Sequence, residues 1–409
     1  MQANLHIAVI GGGAAGFFAA ISCKTHNPNA EVTLYEKTDK LLAKVKISGG
    51  GRCNVTHACF TVSQLAKYYP RGERYLKKAF SYFSTIDTVQ WFESRGVKLK
   101  TEDDNRVFPV TDDSQTIINC LLRETEKLGV SVEMKQPVMA IEKESNGFKL
   151  AFRDKAIHAD KVIIANGGSP KKEGFDWLEQ LGHEIESPVP SLFTFNMPIE
   201  PIKTLMGVSV ESAAVRIIGT KLKSEGPLLI THWGMSGPAI LKLSAWGARI
   251  LHDLDYKFSI MVNWLGNMNE DEARDVFSKE RDAHPNKKTG NSESFKMPGR
   301  LWLFLLSKLD INPEITLERL GKKNMNRLLN LLLNDEYKVE GKTTFKEEFV
   351  TCGGVSLSNV SMDTMESKVC PGMYFAGEVL DIDGVTGGFN FQAAWTTGFI
   401  AGKLGSSNN

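Results

Sequence analysis

Apolar positions open the chain as a short run, Leu5–Ile10, which breaks at once into Gly11-Gly12-Gly13-Ala14-Ala15-Gly16. A second apolar run, Val32-Thr33-Leu34-Tyr35, ends at Glu36, twenty residues past Gly16. Strand, glycine turn, helix, strand and acid form the layout of a dinucleotide-binding βαβ unit. Residues 60–130 carry mainly helical periodicity: Tyr75–Phe83 and Ile86–Ser94 predict helices, and Ser114–Leu128 a third that stops at Gly129. Val130–Met134, Val138–Glu144 and Phe148–Arg153 predict strands, with Asn146-Gly147 as a hairpin turn. Lys161–Ala165 predicts a buried strand that empties into Asn166-Gly167-Gly168-Ser169-Pro170.

The texture changes near Pro188-Val189-Pro190. From 191 to about 262, short β-type runs alternate with turns (Thr194–Met197, Ser209–Ile218, Lys221–Ser224, Phe258–Val262), the pattern of an antiparallel sheet or small barrel. Between about Asn269 and Tyr337 the pattern is helical and more polar, with Leu328–Leu333 the clearest buried stripe and Asp282–Ser294 an exposed loop. From Val350 the glycine-rich mixed texture returns. Met373–Glu378 reads as a strand leaving into a turn, Asp383–Gln392 as a second glycine turn, and Ala393–Leu404 as the last helix. The fold class is therefore α/β: a discontinuous Rossmann-like cofactor domain (1–190 and 350–409), interrupted by an inserted domain (191–349) that is β-rich and barrel-like, with a helical part at about 269–337.

Each glycine of the first turn has its own task. Gly11 permits the tight turn, Gly13 lets a pyrophosphate approach the backbone, and Gly16 lets the helix pack on the sheet. The helix entered through Ala14 and Ala15 aims free amide N–H groups and its dipole at the phosphates. Glu36, with Lys37 beside it, can take ribose hydroxyls, and an acid here suits FAD or NAD better than NADP. A second glycine-rich segment at the far end of the chain favours FAD, an extended molecule that needs one grip for its ADP half and another for its ring. Gly377 and Glu378 sit where ribityl hydroxyls would be bonded. The helix start near Gly388, with Asn390 and Phe391, would stabilise negative charge on the reduced ring; the alternative is a strand–turn–helix that only completes the sheet. Ala165 and Gly167, at the mouth of a central strand, join the same candidate site.

In Lys46–Thr56, Gly50 and Gly51 expose backbone N–H groups, Arg52 is placed to pair with phosphate, and Asn54 closes the run. Cys53 reads either as a redox thiol or as a small packed residue, and a disulfide to Cys59 stays open. In Thr231–Pro238, His232 reads either as a proton-transfer residue or as an ordinary loop histidine. Asp381 and Asp383, without further carboxylates or His nearby, read as solvated turn residues rather than a metal pair.

The 409 residues exceed one ordinary core. With 42% hydrophobic and 24% charged residues and a formal net charge of +1, no global field recruits nucleic acid or a membrane. Six scattered cysteines without a CxxC pair suit a reducing cytosol. No segment reaches the length of apolar sequence needed to span a bilayer.

Taken together, Gly11–Gly16 with Glu36, Ser-Gly-Gly-Gly-Arg-Cys-Asn at 48–54, Thr-His-x-Gly-x-Ser-Gly-Pro at 231–238, and the tail Thr-Cys-Gly-Gly-Val…Ala-Gly-Glu…Gly-Gly-Phe-Asn resemble the BaiN/RdsA family of bacterial FAD-dependent oxidoreductases, distantly similar to glutathione-reductase-type flavoproteins. The resemblance covers nearly the whole chain. It implies a split FAD domain with an insertion, and FAD contacts at the first glycine loop, Glu36, the 48–54 block, the residue matching Val138, and around Glu378, Asn390 and Phe391. It also implies NAD(P)H-linked reduction, in one member of unsaturated bile-acid intermediates. No second GxGxxG follows a strand, so a nicotinamide would dock transiently. The expectation is a cytosolic oxidoreductase with non-covalent FAD, passing hydride through flavin N5 to a small organic substrate, with neither nucleic acid nor membrane as partner. The alternatives are an FAD-dependent RNA-modifying enzyme and a non-enzymatic flavin carrier or sensor.

Overall fold

A computed structural model describes residues 5–343 and 350–405. The chain divides into two compact units, Met1–Ser191 with Lys346–Asn409, and Leu192–Phe345.

The first unit is built on five parallel strands in the order Met373–Phe375, Lys161–Ile164, His6–Ile10, Glu31–Tyr35, Ser131–Glu133. His6–Ile10 is central, and Ile10 pairs with Ile164 on one side and Tyr35 on the other. Ile7, Ala8 and Val9 are fully buried in succession, as in parallel strands covered on both faces. The helix Ala14–His26 follows the first strand, and its residues Ala15–Cys23 are all buried.

Against it lies the last helix, Phe389–Gly402. A Cβ at Gly398 would stand 2.7 Å from the Ala15 carbonyl oxygen, and one at Gly402 only 2.4 Å from that of Ala19. The two backbones touch, and only glycine at this four-residue spacing admits the crossing. The helix begins earlier than its apolar pattern predicts, directly after Gly388, whose φ of 90° favours glycine.

A meander, Ala140–Glu144, Gly147–Ala151 and Ala156–Ala159, accompanies the sheet. Glu144 pairs with Gly147, so Ser145-Asn146 forms the tip and Gly147 opens the return strand, one residue later than the predicted turn. The third strand is too short and too exposed to carry a hydrophobic signal.

The second unit holds a seven-stranded antiparallel sheet that closes on itself. Its edge strands, Asp335–Glu340 and Lys342–Thr343, are one chain segment broken only at Gly341, whose carbonyl accepts from the Asn196 N–H at 3.1 Å. Two predictions need correction here. Pro238–Asp253 is a helix inside the region read as β-type; Ala239, Ile240, Leu243, Ser244, Gly247, Ala248 and Leu251 are buried at helical spacing behind a proline in the first turn. Asp335–Glu340, read as the end of the helical region, is a strand with Asp335, Tyr337 and Val339 buried in alternation. The wholly buried Asp335 carboxylate accepts from Trp264 Nε1 at 2.9 Å, from Lys308 Nζ at 2.5 Å and from the Tyr337 hydroxyl, which ties the helix Gly299–Lys308 to the sheet. The loop 282–294 is pinned by Glu280, whose carboxylate accepts from the Glu293 and Ser294 N–H groups, the Ser292 and Ser294 hydroxyls and Lys287 Nζ.

Two outcomes test this packing. Gly402→Leu forces a side chain into the helix crossing and should lower unfolding free energy by about 1–3 kcal/mol, read from urea midpoints. These donors hold the Glu280 carboxyl down at about 2, below its ordinary 4.5. A depressed folded-state pKa adds stability above the unfolded value and loses it as pH falls. The midpoint advantage of the unsubstituted protein over Glu280→Gln should therefore shrink as pH drops from 4.5 towards 2.

Candidate functional site

The first glycine turn is tight. Gly11 (φ 115°) donates its N–H to the Tyr35 carbonyl at 2.8 Å, and a Cβ on it would lie 2.4 Å from the Ala165 oxygen. A Cβ on Gly16 would lie 1.9 Å from the Gly11 oxygen. Gly13 differs: nothing stands within 4 Å of its missing Cβ, at the start of the helix Ala14–His26, where the amides of the first turn have no intrahelical acceptor. Glu36 hangs at the lip of this turn. One oxygen accepts from the Gly12 N–H at 2.8 Å, and the other from the Thr38 N–H and hydroxyl, both at 2.8 Å. A carboxylate has about four acceptor positions, so capacity remains for a ribose hydroxyl. Lys37 is exposed beside it, and half-buried Val138 lies two residues past Gln136, which donates to the Glu36 carbonyl at 2.9 Å.

The carboxyl-terminal motif arrives at the same place. Gly377 (φ 78°) would carry a Cβ 2.7 Å from the Ala15 Cβ, and its N–H donates to Thr397 Oγ1 at 2.8 Å. Glu378 therefore emerges beside the start of the first helix. Its carboxylate accepts from the Thr351 N–H at 3.1 Å and from Lys44 Nζ at 2.6 Å. The Thr351 hydroxyl is buried without a hydrogen-bond partner among the described residues, facing Gly168. Gly50, Gly51 and Gly167 all have positive φ and nothing within 4 Å of a Cβ.

The 48–54 block is sewn to the start of the last helix. With its amide turned to suit its neighbours, Asn54 donates to the Thr56 carbonyl at 2.9 Å and accepts from the Gly388 N–H at 3.0 Å. Trp395 Nε1 donates to the Val55 carbonyl at 2.9 Å, and Thr56 Oγ1 to Gln392 Oε1 at 2.6 Å. Rings of His57, Phe389 and Tyr68 stack in sequence, with centroids 4.7 and 4.3 Å apart. Phe391 stacks on Trp395 at 5.6 Å.

Several candidates take roles their residue type did not announce. Arg52 pairs with Glu102 at 2.6 Å and lies over the Phe108 ring, so its charge is spent within the protein rather than offered to phosphate. Cys53 is fully buried, and desolvation pushes its thiol up to about 12, which leaves no thiolate at neutral pH. It forms no disulfide with Cys59; both are free. The Asn390 side chain is committed to Gly384, accepting from its N–H at 2.8 Å and donating to its carbonyl at 3.0 Å, so what it offers a ligand is its backbone N–H. Asp383 is not a solvated turn residue but is wholly buried against Arg71. His232 belongs to the second unit, where it is exposed in the turn between Lys223–Ile230 and Gly234–Ser236 with its ring against Trp233. Lys44 and Thr351 were not singled out from sequence. Thr351 opens the Thr-Cys-Gly-Gly-Val run and Lys44 lies just before the 46–56 block, but their shared partner Glu378 lies 27 and 334 residues away.

An orphaned buried hydroxyl, an adjoining carboxylate, a helix N-terminus and glycines open to space fit a long cofactor that carries phosphates at one end and hydroxyls beyond them. Fold and site define a Rossmann-type flavoenzyme of the oxidoreductase class. The chain belongs to the HI0933-like Rossmann-domain family, whose model matches residues 5–404. It is similar to the ribosomal RNA dihydrouridine synthase of Escherichia coli, 29% identical over 404 residues, covering 97% of this chain and 96% of the relative. It is similar as well to the 3-dehydro-bile acid delta(4,6)-reductase of Clostridium scindens, 27% identical over 405 residues, covering 97% and 98%. Among solved structures, 3-ketosteroid-delta4-(5alpha)-dehydrogenase from Rhodococcus jostii RHA1 superposes with a TM-score of 0.52 at 13% identity, over 97% of each chain, a likeness of fold. No helix among the described residues is long and apolar enough to cross a membrane.

Proposed function

We propose that the chain is an FAD-dependent reductase that adds hydride and a proton across a carbon–carbon double bond conjugated to a carbonyl, with NAD(P)H as reductant. The balance is substrate, NAD(P)H and one proton giving saturated product and NAD(P)⁺. The observation that carries the cofactor reading is the meeting of the first glycine loop with Gly377 and Glu378 at Ala15. The bond type is what two differently named relatives have in common. A dihydrouridine arises by saturating a ring double bond beside a carbonyl, and a delta(4,6)-reductase of a 3-dehydro substrate acts on double bonds in line with the 3-oxo group.

FAD bound here would supply hydride transfer between nicotinamide and acceptor. The protein's part is to hold and tune. Gly13 and the first helix N-terminus receive the pyrophosphate, Glu36 the adenosine ribose, and Glu378 with the Thr351 hydroxyl the ribityl chain. The N-terminus of Phe389–Gly402 offsets negative charge at the ring end. On the Thr231–Pro238 sequence motif alone, the proton that accompanies the hydride is assigned to His232.

A small enone is the substrate favoured by a net charge of +1. One feature favours uridine in RNA instead: Lys67, Arg74, Tyr75, Lys77 and Tyr82 are exposed along the segment that borders the loop before Phe389.

The purified protein should be yellow. NADH or NADPH should bleach it without oxygen, and a 3-oxo-4-ene steroid should restore the colour; restoration by ribosomal RNA alone would select the RNA reading. A colourless protein that takes up no FAD overturns the proposal. His232→Gln should bleach normally but turn over roughly 10²-fold more slowly; unchanged turnover removes His232 from the reaction.

A further inference from the structure

The turn that delivers the last helix, Asp383–Gly388, is held by an ion pair that the reaction itself does not need. Arg71 sets its guanidinium fork on both oxygens of Asp383, with Nε 2.5 Å from Oδ1. The carboxylate is wholly buried. Ser191 completes the group: its hydroxyl donates to Asp383 Oδ2 and accepts from Arg71 Nη2 at 3.0 Å, while its N–H donates to the Val350 carbonyl at 2.9 Å. Arg71 and Asp383 also pair as a β-bridge, and the Val385 N–H donates to the Tyr68 carbonyl at 2.9 Å. The Tyr69 hydroxyl donates to the Phe389 carbonyl at 2.6 Å. On the other side of the turn, the Asn390 amide clasps Gly384 by both its N–H and its carbonyl.

Burying a carboxylate and a guanidinium is a poor way to gain stability, because the lost hydration offsets most of the attraction. What a planar fork on a carboxylate does supply is orientation. The fork fixes Asp383, Asp383 leads into Gly384, and Gly384 is clasped to Asn390 in the first turn of the helix. We propose that Arg71, Asp383 and Ser191 are positioning residues that set where the first amides of Phe389–Gly402 point, and through them the affinity and redox balance of the bound flavin. This rests on the FAD reading above.

The test uses the full-length protein with three variants, Asp383→Asn, Arg71→Lys and Ser191→Ala. Each is followed by apoprotein circular dichroism, FAD affinity from flavin fluorescence, the visible spectrum and the midpoint potential. Asp383→Asn and Arg71→Lys should weaken FAD binding about tenfold or more, as expected for one lost charge-assisted hydrogen bond. They should also shift the absorption bands and move the potential to more negative values, because the reduced ring loses its donors. Ser191→Ala should move the same quantities in the same direction by less. It decides the matter if the two charge variants do not fold. A merely structural role would lower melting temperature and leave spectrum and potential where they were, and that result overturns the proposal. So does Arg71→Lys behaving like the unsubstituted protein, since lysine keeps the charge but not the fork. An unsubstituted protein that takes up no FAD would instead bring down the cofactor reading, and this inference with it.

Discussion

The first unit depends on contact between backbones from opposite ends of the chain. Gly398 and Gly402 set the last helix directly on the carbonyls of Ala15 and Ala19, and Gly377 brings its own backbone against Ala15. Because no side chain intervenes, the amino-terminal glycine turn and the carboxyl-terminal motif come within one residue's width of each other. The spacing of the candidate site follows from that. Glu378 stands beside the first helix's N-terminus because Gly377 cannot be displaced from it.

Polar bonds then convert this proximity into a defined shape. Asn54, Val55 and Thr56 each bond to a different position of the last helix or its cap: Gly388, Trp395 and Gln392. Gln392 is fully buried and also accepts from Thr88 at 2.9 Å. A buried amide with its partners in place specifies one arrangement, because any other leaves polar groups unpaired. The glycines at 50 and 51 are thereby free to stay bare towards space, since the residues just after them do the anchoring.

The parallel sheet, its first helix and the glycine turns were legible in the sequence, because apolar runs, helical periodicity and glycine spacing are local signals. The helix Pro238–Asp253 was equally local, with a proline at its start and a buried face at 3.6-residue spacing, and was hidden only by the strands around it. Asp335–Glu340 was not legible. An Asp at an inward position argues against a strand until Lys308, Trp264 and Tyr337 are known to surround it. The barrel's closure at Gly341 is a property of pairing order, which no single segment encodes.

By itself the sequence determined which segments turn, which are buried, and that one acid and one glycine turn at each end suit an elongated dinucleotide; these follow from residue chemistry and short-range spacing. Only the tertiary structure decided what each charged or reactive side chain does. Arg52 is neutralised by Glu102, Cys53 is silenced by burial, Asn390 is spent on Gly384, and Thr351 and Lys44 are drawn to Glu378. The reason is physical. A guanidinium, a thiol or an amide takes its role from the field and the partners around it, and apart from Gly384, six residues from Asn390, the partners named here lie tens to hundreds of residues away along the chain.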